Sequence, residues 1–419
     1  MSSILTNTSA MIALQTLKAV NSNLSGTQSA ISTGKNVASA KDNSAVWAIS
    51  KVMESDVKGF KAISESLSLG QSTVAVARNG AEKITDLLND IKSKVIAANE
   101  ENFDGEKLQT DLTSLRDQIS SITGAAQFNG LNLLGNKDAG TDLVTSLKKI
   151  GGSEVDILSS LDRSSDGSVA SSTIGAQKAD LGTQALTFGG GAALSATSMV
   201  VSGAAGADGG TATITIAGDP TTARGANAVI AGDSYRLTSA SLGTSEDVEY
   251  VARDGDTVTD IAKALEARAA FQAKSDGLDL EFSRDGAVIT LTNNQTTAVT
   301  AVGATGSFGV PGGGLELLET IDISTLDGAK ASLAAFESLI QTSIDAAAQF
   351  GSTEGRIEIQ SDFVSSLSDS LESGIGALVD ADMEETSARL QALQVQQQLA
   401  VQSLSIANEA PQTILSLFR

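Results

Sequence analysis

The stretch that decides the fold is FKAISESLSLGQSTVAVARNGAEKITDLLNDIKSKV, residues 60–95. Its small and apolar residues alternate at spacings of three and four, and Gly70 is the one weak member of the series. The series is Phe60, Ile63, Leu67, Gly70, Val74, Ala77, Ala81, Ile84, Leu88, Ile91 and Val95. This heptad spacing predicts one long helix in coiled-coil packing.

Two further helices are predicted to pack against the first. Residues 102–105 read as a turn, and a second amphipathic series follows it from Leu108 to Ile122. The spacing returns from Leu333 to Leu371, with polar residues at positions 343, 354, 361 and 368. We therefore expect an antiparallel hairpin completed into a bundle. Its predicted core is Phe60, Ile63, Leu67, Val74, Ile84, Leu88, Ile91, Val95, Leu108, Leu112, Leu115, Ile119, Phe128, Ile340, Phe350 and Ile357.

The same pattern reaches almost to both chain ends, from Ala10 to Ile31 and from Leu390 to Ala407. Termini usually fray, and two isolated apolar helices would bury little surface within one molecule. We therefore interpret these helices as an interface with other copies of the chain. The predicted interface residues are Leu5, Ala10, Ala13, Leu17, Val20, Leu24, Ile31, Leu390, Leu393, Leu399, Leu404, Ile406, Ile414, Leu415 and Leu417.

The middle of the chain, about residues 151–320, is rich in Gly, Ser, Thr, Ala and Asp and loses the helical period. Alternating stretches at 211–217, 247–251 and 287–292 predict strands. One helix is expected from Val258 to Phe271, with Asp256 as its N-cap. The predicted fold is mainly α: a long coiled-coil bundle built from both chain ends, with a central β-rich α+β outer domain.

Five segments follow from these patterns. They are a terminal helix at 1–45, a first bundle part at 46–150, a surface-exposed variable β-rich domain at 151–320, a second bundle part at 321–375 and a terminal helix at 376–419.

Composition excludes several classes of function. The formal net charge of −22 argues against nucleic acid and anionic membranes, which attract clustered Lys and Arg. His and Cys are both absent, so His-based triads and the usual zinc sites cannot form, and we expect no enzyme and no cofactor. The N-terminus does not read as a conventional signal peptide, and no window predicts a membrane-spanning helix.

Several local features have competing interpretations. The glycine runs 189–191 and 312–314 read as flexible connections rather than phosphate loops, because neither has the context of a P-loop. The pairs Asp254/Asp256 and Asp276/Asp279 suggest solvated turns more than Ca²⁺ sites, and Glu100 with Glu101 suggests surface charge. Trp47, the single Trp, fits an interface anchor and a filled core gap equally well.

Motifs at both ends resemble those of the flagellin family. The opening motif is similar to residues 4–10, 31–34 and 39–45, and residues 126–130 (Ala-Gln-Phe-Asn-Gly) resemble its end-of-hairpin motif. The closing motif resembles residues 379–385, 396–398 and 407–417. The middle resembles at most a ββαββ module, at 232–293. Two stretches depart from the family pattern, Gly376-Ala-Leu-Val379 and Asp42-Asn-Ser-Ala-Val46.

The resemblance implies a secreted structural subunit that polymerises through its terminal helices into the bacterial flagellar filament for swimming motility. It implies export through the flagellar secretion channel, a chaperone at the C-terminal helix, contacts with filament cap and hook–filament junction proteins, and homopolymers that other flagellins can share. Where many flagellins carry an Arg-rich patch read by an innate-immune receptor, this chain has Asp90-Ile-Lys-Ser-Lys94, so we expect weak recognition.

Two alternatives stay open at this level: a hook–filament junction protein with related ends, and a glycan-binding adhesive role for the middle domain. A metallopeptidase in the middle is excluded, because its zinc site needs His.

Overall fold

A computed structural model describes residues 7–100, 104–135, 154–163, 168–189, 198–218, 229–253, 256–299 and 304–417. Its helices are α1 (Thr8–Thr33), α2 (Ser44–Ala97), α3 (Gly105–Ala125), α4 (Ser239–Leu242), α5 (Val258–Ser275), α6 (Leu317–Thr320), α7 (Leu326–Val379) and α8 (Met383–Leu417). Long helices at both ends and a strand-rich middle confirm the predicted fold class.

The strands all lie between the bundle helices in sequence. They are β1 (Gln127–Phe128), β2 (Leu131–Asn132), β3 (Glu154–Arg163), β4 (Val169–Gln177), β5 (Met199–Ser202), β6 (Gly210–Ile216), β7 (Asp233–Leu237), β8 (Val248–Val251), β9 (Leu280–Asp285), β10 (Val288–Asn293) and β11 (Ala304–Phe308).

The chain divides into two compact units. The first comprises residues 1–65, 160–170 and 361–419, and the second comprises residues 66–159 and 171–360. The five segments predicted from composition describe a different division, and they stay a prediction about how the chain is used.

In the second unit, α3 and α7 both pack antiparallel to α2. Lys94 on α2 pairs with Asp111 on α3 at 2.6 Å, and Arg78 on α2 pairs with Glu354 on α7 at 2.7 Å. The first pair joins the end of α2 to the start of α3. On α7, Glu354 pairs with Arg78 while Ser343 contacts Thr85, so increasing positions on α2 meet decreasing positions on α7. The arrangement is the hairpin plus third helix that the heptad series predicts.

Most of the residues predicted for the bundle core are buried. Those at or below 7% exposure are Ile63, Leu67, Val74, Ile84, Leu88, Ile91, Val95, Leu112, Ile119, Ile340, Phe350 and Ile357. The other four are partly buried: Phe60, Leu108, Leu115 and Phe128. Of these sixteen residues, Phe60 and Ile63 belong to the first unit.

Two of the polar interruptions in the α7 series make contacts between helices. Ser343 is fully buried, and its Oγ lies 2.8 Å from Thr85 Oγ1 and donates to the Ala81 carbonyl at 3.1 Å. Glu354 accepts the Arg78 Nε hydrogen bond described above. A polar residue at a seam position is tolerated here because its hydrogen-bonding groups are satisfied across the seam.

Gly70, the weak member of the α2 series, has a packing role. A Cβ built on Gly70 would lie 2.6 Å from Ile157 Cδ1, so the missing side chain makes space for strand β3. The β3–β4 hairpin was not predicted from the sequence, and its Ser159 carbonyl accepts a hydrogen bond from Gln360 of α7 at 2.9 Å. Composition placed residues 154–159 in the outer domain, whereas these contacts place them against the bundle helices.

The outer domain is built on two antiparallel sheets and α5. Their strand orders are β5-β6-β10-β9 and β11-β7-β8. The elements β7, β8, α5, β9 and β10 follow one another in a ββαββ order, interrupted only by the single turn of α4, as the module resemblance implies. One core joins α5 to both sheets, with Tyr235, Leu265, Ile289 and Leu291 fully buried in it.

The predicted cap of α5 is wrong. Its N-cap is Thr257, whose side chain accepts from the Asp260 backbone N–H in a capping box, and the helix continues to Ser275. Asp256 instead accepts hydrogen bonds from the Tyr250 hydroxyl at 2.6 Å and from the Arg253 backbone N–H at 2.8 Å. A cap requires the residue directly before the first helical one, and sequence reading missed this position by one residue.

Candidate functional site

The candidate site is the pair of terminal helices, α1 and α8, within the first unit. Asn7 Nδ2 donates to the Ala407 carbonyl at 2.8 Å, and Gln397 Nε2 donates to Asn21 Oδ1 at 2.7 Å. Contacts at increasing positions on α1 therefore meet decreasing positions on α8. The two helices pack antiparallel along one another, although nearly the whole sequence separates them.

The end of α1 is tied to the start of α8. Gly34 closes α1 in the left-handed conformation at φ 68°, which glycine adopts without strain. The Gly34 carbonyl accepts from Ala381 N–H at 3.0 Å, and the Val379 carbonyl accepts from the N–H groups of Asn36 and Val37 at 2.7 and 3.2 Å. These backbone bonds set the register of the helix pair.

The loop between α1 and α2 contains a carboxylate that accepts two hydrogen bonds. Asp42 accepts from the Ser39 N–H at 2.9 Å and the Ser39 hydroxyl at 3.0 Å. These bonds, the backbone one foremost, hold the pKa of Asp42 below its ordinary value. Trp47, on the first turn of α2, is only partly buried, which leaves its two interpretations open.

The heptad positions of the two helices form a seam that is only partly covered. Val20 and Leu393 are buried, at 8% and 6% exposure. The other predicted seam residues are half-buried, namely Ala10, Ala13, Leu17, Leu24, Ile31, Leu390 and Leu404. The structure brings this part of the predicted interface together within one chain.

A second apolar face of α8 points away from the seam. Val395, Leu399 and Ile406 each follow a seam position by two residues, which at 3.6 residues per turn is about 200° around the helix. Their exposed fractions are 56%, 57% and 63%. Leu399 and Ile406 were among the predicted interface residues, and Val395, which lies on the same face, was not.

The N-terminal helix has a matching feature in its first two turns. Met11, Ile12 and Leu14 are exposed at 64%, 65% and 44%. A heptad search missed all three, because it follows one face of a helix. The signal that would have found them is the lack of any charged residue before Lys18.

Charge is nearly absent from α1 and from the middle of α8. Lys18 is the sole charged residue of α1, and residues 390–408 of α8 contain none. An exposed helix normally keeps charged side chains on its solvent face. Depletion of charge together with exposed Leu, Ile and Val is the composition expected at the core of a protein interface.

Four predicted interface residues are placed incompletely or not at all. Leu5 lies outside the described residues. Ile414, Leu415 and Leu417 fall in the last turns of α8, whose side chains lie outside the described part of the chain.

The other candidate sites are the carboxylates singled out in the sequence. No group of three or more carboxylates there is placed to hold a metal ion. Asp276 instead accepts from the Ser245 N–H and hydroxyl, both at 2.8 Å. Glu100 is exposed, while Asp254 and Glu101 lie outside the described residues. No helix in the described segments is both long and apolar enough to cross a membrane.

The sequence matches two family profiles that cover the helical ends. The profile of the bacterial flagellin N-terminal helical region matches residues 4–139, and that of the C-terminal helical region matches residues 333–418. Flagellin A of Rhizobium meliloti is 34% identical over 433 residues, and flagellin A of strain 1021 is 36% identical over 442 residues. A Brucella melitensis flagellin is 29% identical over 420 residues. All three alignments cover 100% of both chains.

Solved structures give weaker similarity. FlgL of Xanthomonas campestris aligns with a TM-score of 0.35 at 12% identity, covering 77% of this chain and 99% of that one. FliC of Burkholderia pseudomallei aligns with a TM-score of 0.30 at 15% identity, covering 68% of this chain and 99% of that one.

A helical pair made of both chain ends, in a chain matched at both ends by these profiles, defines a structural subunit of a filament. The chain belongs to the bacterial flagellin family. It is a subunit of the extracellular flagellar filament.

Proposed function

We propose that α1 and α8 build the filament through two surfaces, one for contacts within a subunit and one for contacts between subunits. The heptad seam joins the two helices of one subunit, and the outward apolar residues contact neighbouring subunits. Parallel copies of such pairs form an inner helical tube. The exposed, uncharged second face of α8 is the observation that carries this proposal.

The proposal refines the interface predicted from sequence. Ala13, Leu17 and Leu24 belong to the seam within the subunit, while Leu399 and Ile406 belong to the surface between subunits. Met11, Ile12 and Val395 join the second group. Contacts of this head-to-tail kind do not close on themselves and give an open helical polymer.

Assembly and order are coupled in this scheme. Residues 1–45 and 376–419 are poorly ordered before assembly and fold fully as a subunit adds, because neighbours supply the apolar contacts that one pair lacks. A chaperone that covers the C-terminal helix during export fits the same surface, since exposed apolar residues promote aggregation. Cap and junction proteins, and other flagellins in a shared filament, meet the subunit through these ends.

The proposed role is structural and not enzymatic. The chain has neither His nor Cys, so its general acids and bases are limited to carboxylates, Lys, Arg and Tyr. Weak recognition by the innate-immune receptor is part of the proposal. Lys92 and Lys94 occupy the segment concerned, and they pair with Glu337 and Asp111.

The first test is electron microscopy of protein seeded with filament fragments. Full-length protein should extend the seeds into long filaments, and protein lacking residues 1–45 and 376–419 should not. Circular dichroism should show the truncated protein still helical. If the truncated protein extended seeds equally well, the terminal helices would not be the polymerising surface. Short stacks from the intact protein would favour a junction role.

A further inference from the structure

Two chain segments run side by side between the bundle and the outer domain. We call residues 178–189 and 309–316 the neck. Thr187 and Val310 exchange backbone hydrogen bonds at 3.0 and 2.8 Å, and Leu315 N–H donates to the Gly182 carbonyl at 3.0 Å. Gly313 and Gly314 add two more bonds across the neck, at 2.8 and 3.0 Å, to Gln184 and Asp180. The pairing extends along most of the neck's length.

The neck is anchored at both of its ends. On the bundle side, Ala179 and Leu181 donate to the carbonyls of Leu133 and Leu134 at 2.9 and 2.8 Å. On the outer side, Gly309 donates to the Gly232 carbonyl at 2.8 Å, just before β7. Both segments of the neck are therefore hydrogen-bonded to their surroundings, and neither is a free connection between the bundle and the outer domain.

The glycine run 312–314 is therefore not the flexible connection predicted from the sequence. A Cβ on Gly313 would lie 1.9 Å from the Gly182 carbonyl oxygen, and one on Gly314 would lie 2.2 Å from that of Asp180. Both contacts are with backbone, which cannot give way as a side chain can. The glycines allow two backbones to approach closely.

One side chain of the outer domain donates hydrogen bonds to the backbone of the neck. Arg253 lies two residues after the end of β8. It donates from Nε to the Gly312 carbonyl at 3.1 Å and from Nη2 to the Gly313 carbonyl at 2.6 Å. Its guanidinium lies over the Tyr250 ring at 5.5 Å from the centroid. Asp256 accepts from both Tyr250 Oη and Arg253 N–H, so the arginine is positioned before it meets the neck.

The other arginine that borders the same cavity as Arg253 is engaged elsewhere. A cavity of about 190 Å³ borders Arg253 and Arg268, between α5 and α7. The Arg268 guanidinium is already engaged by the Glu249 carbonyl at 2.8 Å and by the Glu316 carboxylate. Removing the Arg253 guanidinium would leave two neck carbonyls without their charged donor, and charge-assisted hydrogen bonds are the stronger kind.

We propose that Arg253 and the Gly312–Gly313 carbonyls form a clamp that fixes the orientation of the outer domain on the bundle. The outer domain then projects as a rigid part of the subunit and does not swing on a glycine-rich tether. The clamp is independent of how subunits polymerise, because every group in it belongs to one chain.

The test is a distance measurement between the two parts in full-length monomer. The chain contains no Cys, so the paired substitutions Glu281→Cys on β9 and Gln341→Cys on α7 give two unique spin-label sites. Pulsed electron paramagnetic resonance should return one narrow distance distribution. Adding Arg253→Ala should broaden it by about twofold or more, as expected when local restraint is lost. A broad distribution in the parent protein would overturn the clamp.

The matched control is Arg284→Ala. Arg284 also donates to a backbone carbonyl, that of Gly286 at 3.0 Å, but within its own hairpin. It should leave the distribution narrow. Equal broadening by both substitutions would overturn the proposal.

Hydrogen exchange separates loss of the clamp from loss of the fold. Arg253→Ala should speed exchange at the amides of Gly313 to Leu315 by about tenfold or more, while β10 stays protected. Equal loss of protection in β10 would make Arg253 a folding residue and overturn the proposal. Should that variant not fold, Gly313→Ala should loosen the same amides and Gly206→Ala, where a Cβ meets nothing within 4 Å, should not. Unchanged neck exchange in Gly313→Ala would also count against the clamp.

Discussion

The bundle helices and the terminal helices carry the same three-four spacing of apolar residues, but with different surroundings. In the bundle most of the seam is buried, and ion pairs such as Arg78–Glu354 lie beside it. In the terminal pair most of the seam is half-buried, and the opposite face of α8 is apolar and uncharged. The spacing thus predicts a helix and its buried face. The residues outside the spacing show whether the other faces of that helix are polar or are apolar and need a further partner.

The largest expected effect is on assembly. Leu399→Glu with Ile406→Glu should raise the monomer concentration needed for seeded growth by about a hundredfold or more, because charges buried between subunits lose their hydration. Sedimentation of filaments against total concentration gives the value. The matched control is Ile344→Glu, at a 43% exposed position of α7, which should change it by less than about threefold. An equal rise in that concentration for both variants would show that the bundle and terminal helices do not differ in this way.

A core substitution tests the same comparison in the monomer. Leu88→Ala removes a fully buried side chain and should lower the free energy of unfolding by about 3 kcal/mol. Leu17→Ala, at a half-buried seam position of α1, should cost about 1 kcal/mol or less, because less apolar area is lost. Urea denaturation followed by circular dichroism measures both. A Leu17→Ala cost equal to that of Leu88→Ala would show that the terminal seam is already complete in the monomer.

The buried polar contact of the bundle should be worth less than its apolar core. Ser343→Ala should cost about 1 kcal/mol, because it removes the hydrogen bond from Ser343 to Ala81 and the contact with Thr85. A double-mutant cycle with Thr85→Val should return a coupling of about 0.5 kcal/mol or more. Additive effects within error would mean that the two hydroxyls do not interact.

Acid should weaken the bundle slightly and leave helix α1 unchanged. Asp104 caps α3, and its hydrogen bond from the Lys107 side chain, then that from the Lys107 N–H, lowers its pKa below the ordinary 3.8. A carboxyl whose folded pKa is depressed stabilises the fold above its unfolded pKa. That contribution is lost as pH falls through about 4 and below the folded pKa.

Urea denaturation at pH 7 and at pH 2.5 should show a smaller acid loss in Asp104→Asn than in the parent, since asparagine keeps the cap and cannot titrate. Hydrogen exchange in α1, which has no acidic residue, should not follow this change. The chain has no His or Cys, so stability should be flat from about pH 6 to 9. A change of stability between these two pH values would contradict this prediction.

Part of the fold followed directly from residue patterns. The long helices and the antiparallel hairpin were predicted, because each leaves a local period in the sequence, and the ββαββ order was implied by the family resemblance. The β3–β4 hairpin was missed, since Ser- and Gly-rich strands such as β4 lack strong alternation. Gly70 looked like a weakness because its partner, Ile157, lies nearly ninety residues away. The role of Gly312–314 was missed for the same reason, because their partners Asp180 and Gly182 are also far away in sequence.

The sequence by itself determined which stretches are helical, which face of each is apolar and, through the motifs at both ends, the family to which the chain belongs. These properties depend on neighbours three or four residues apart and on composition. Only the tertiary structure decided what each face meets. It placed Asn7 against Ala407, separated the inner seam from Leu399 and Ile406, and turned a glycine-rich connection into a paired neck held by Arg253. Such outcomes depend on contacts between residues far apart in sequence, which no local period records.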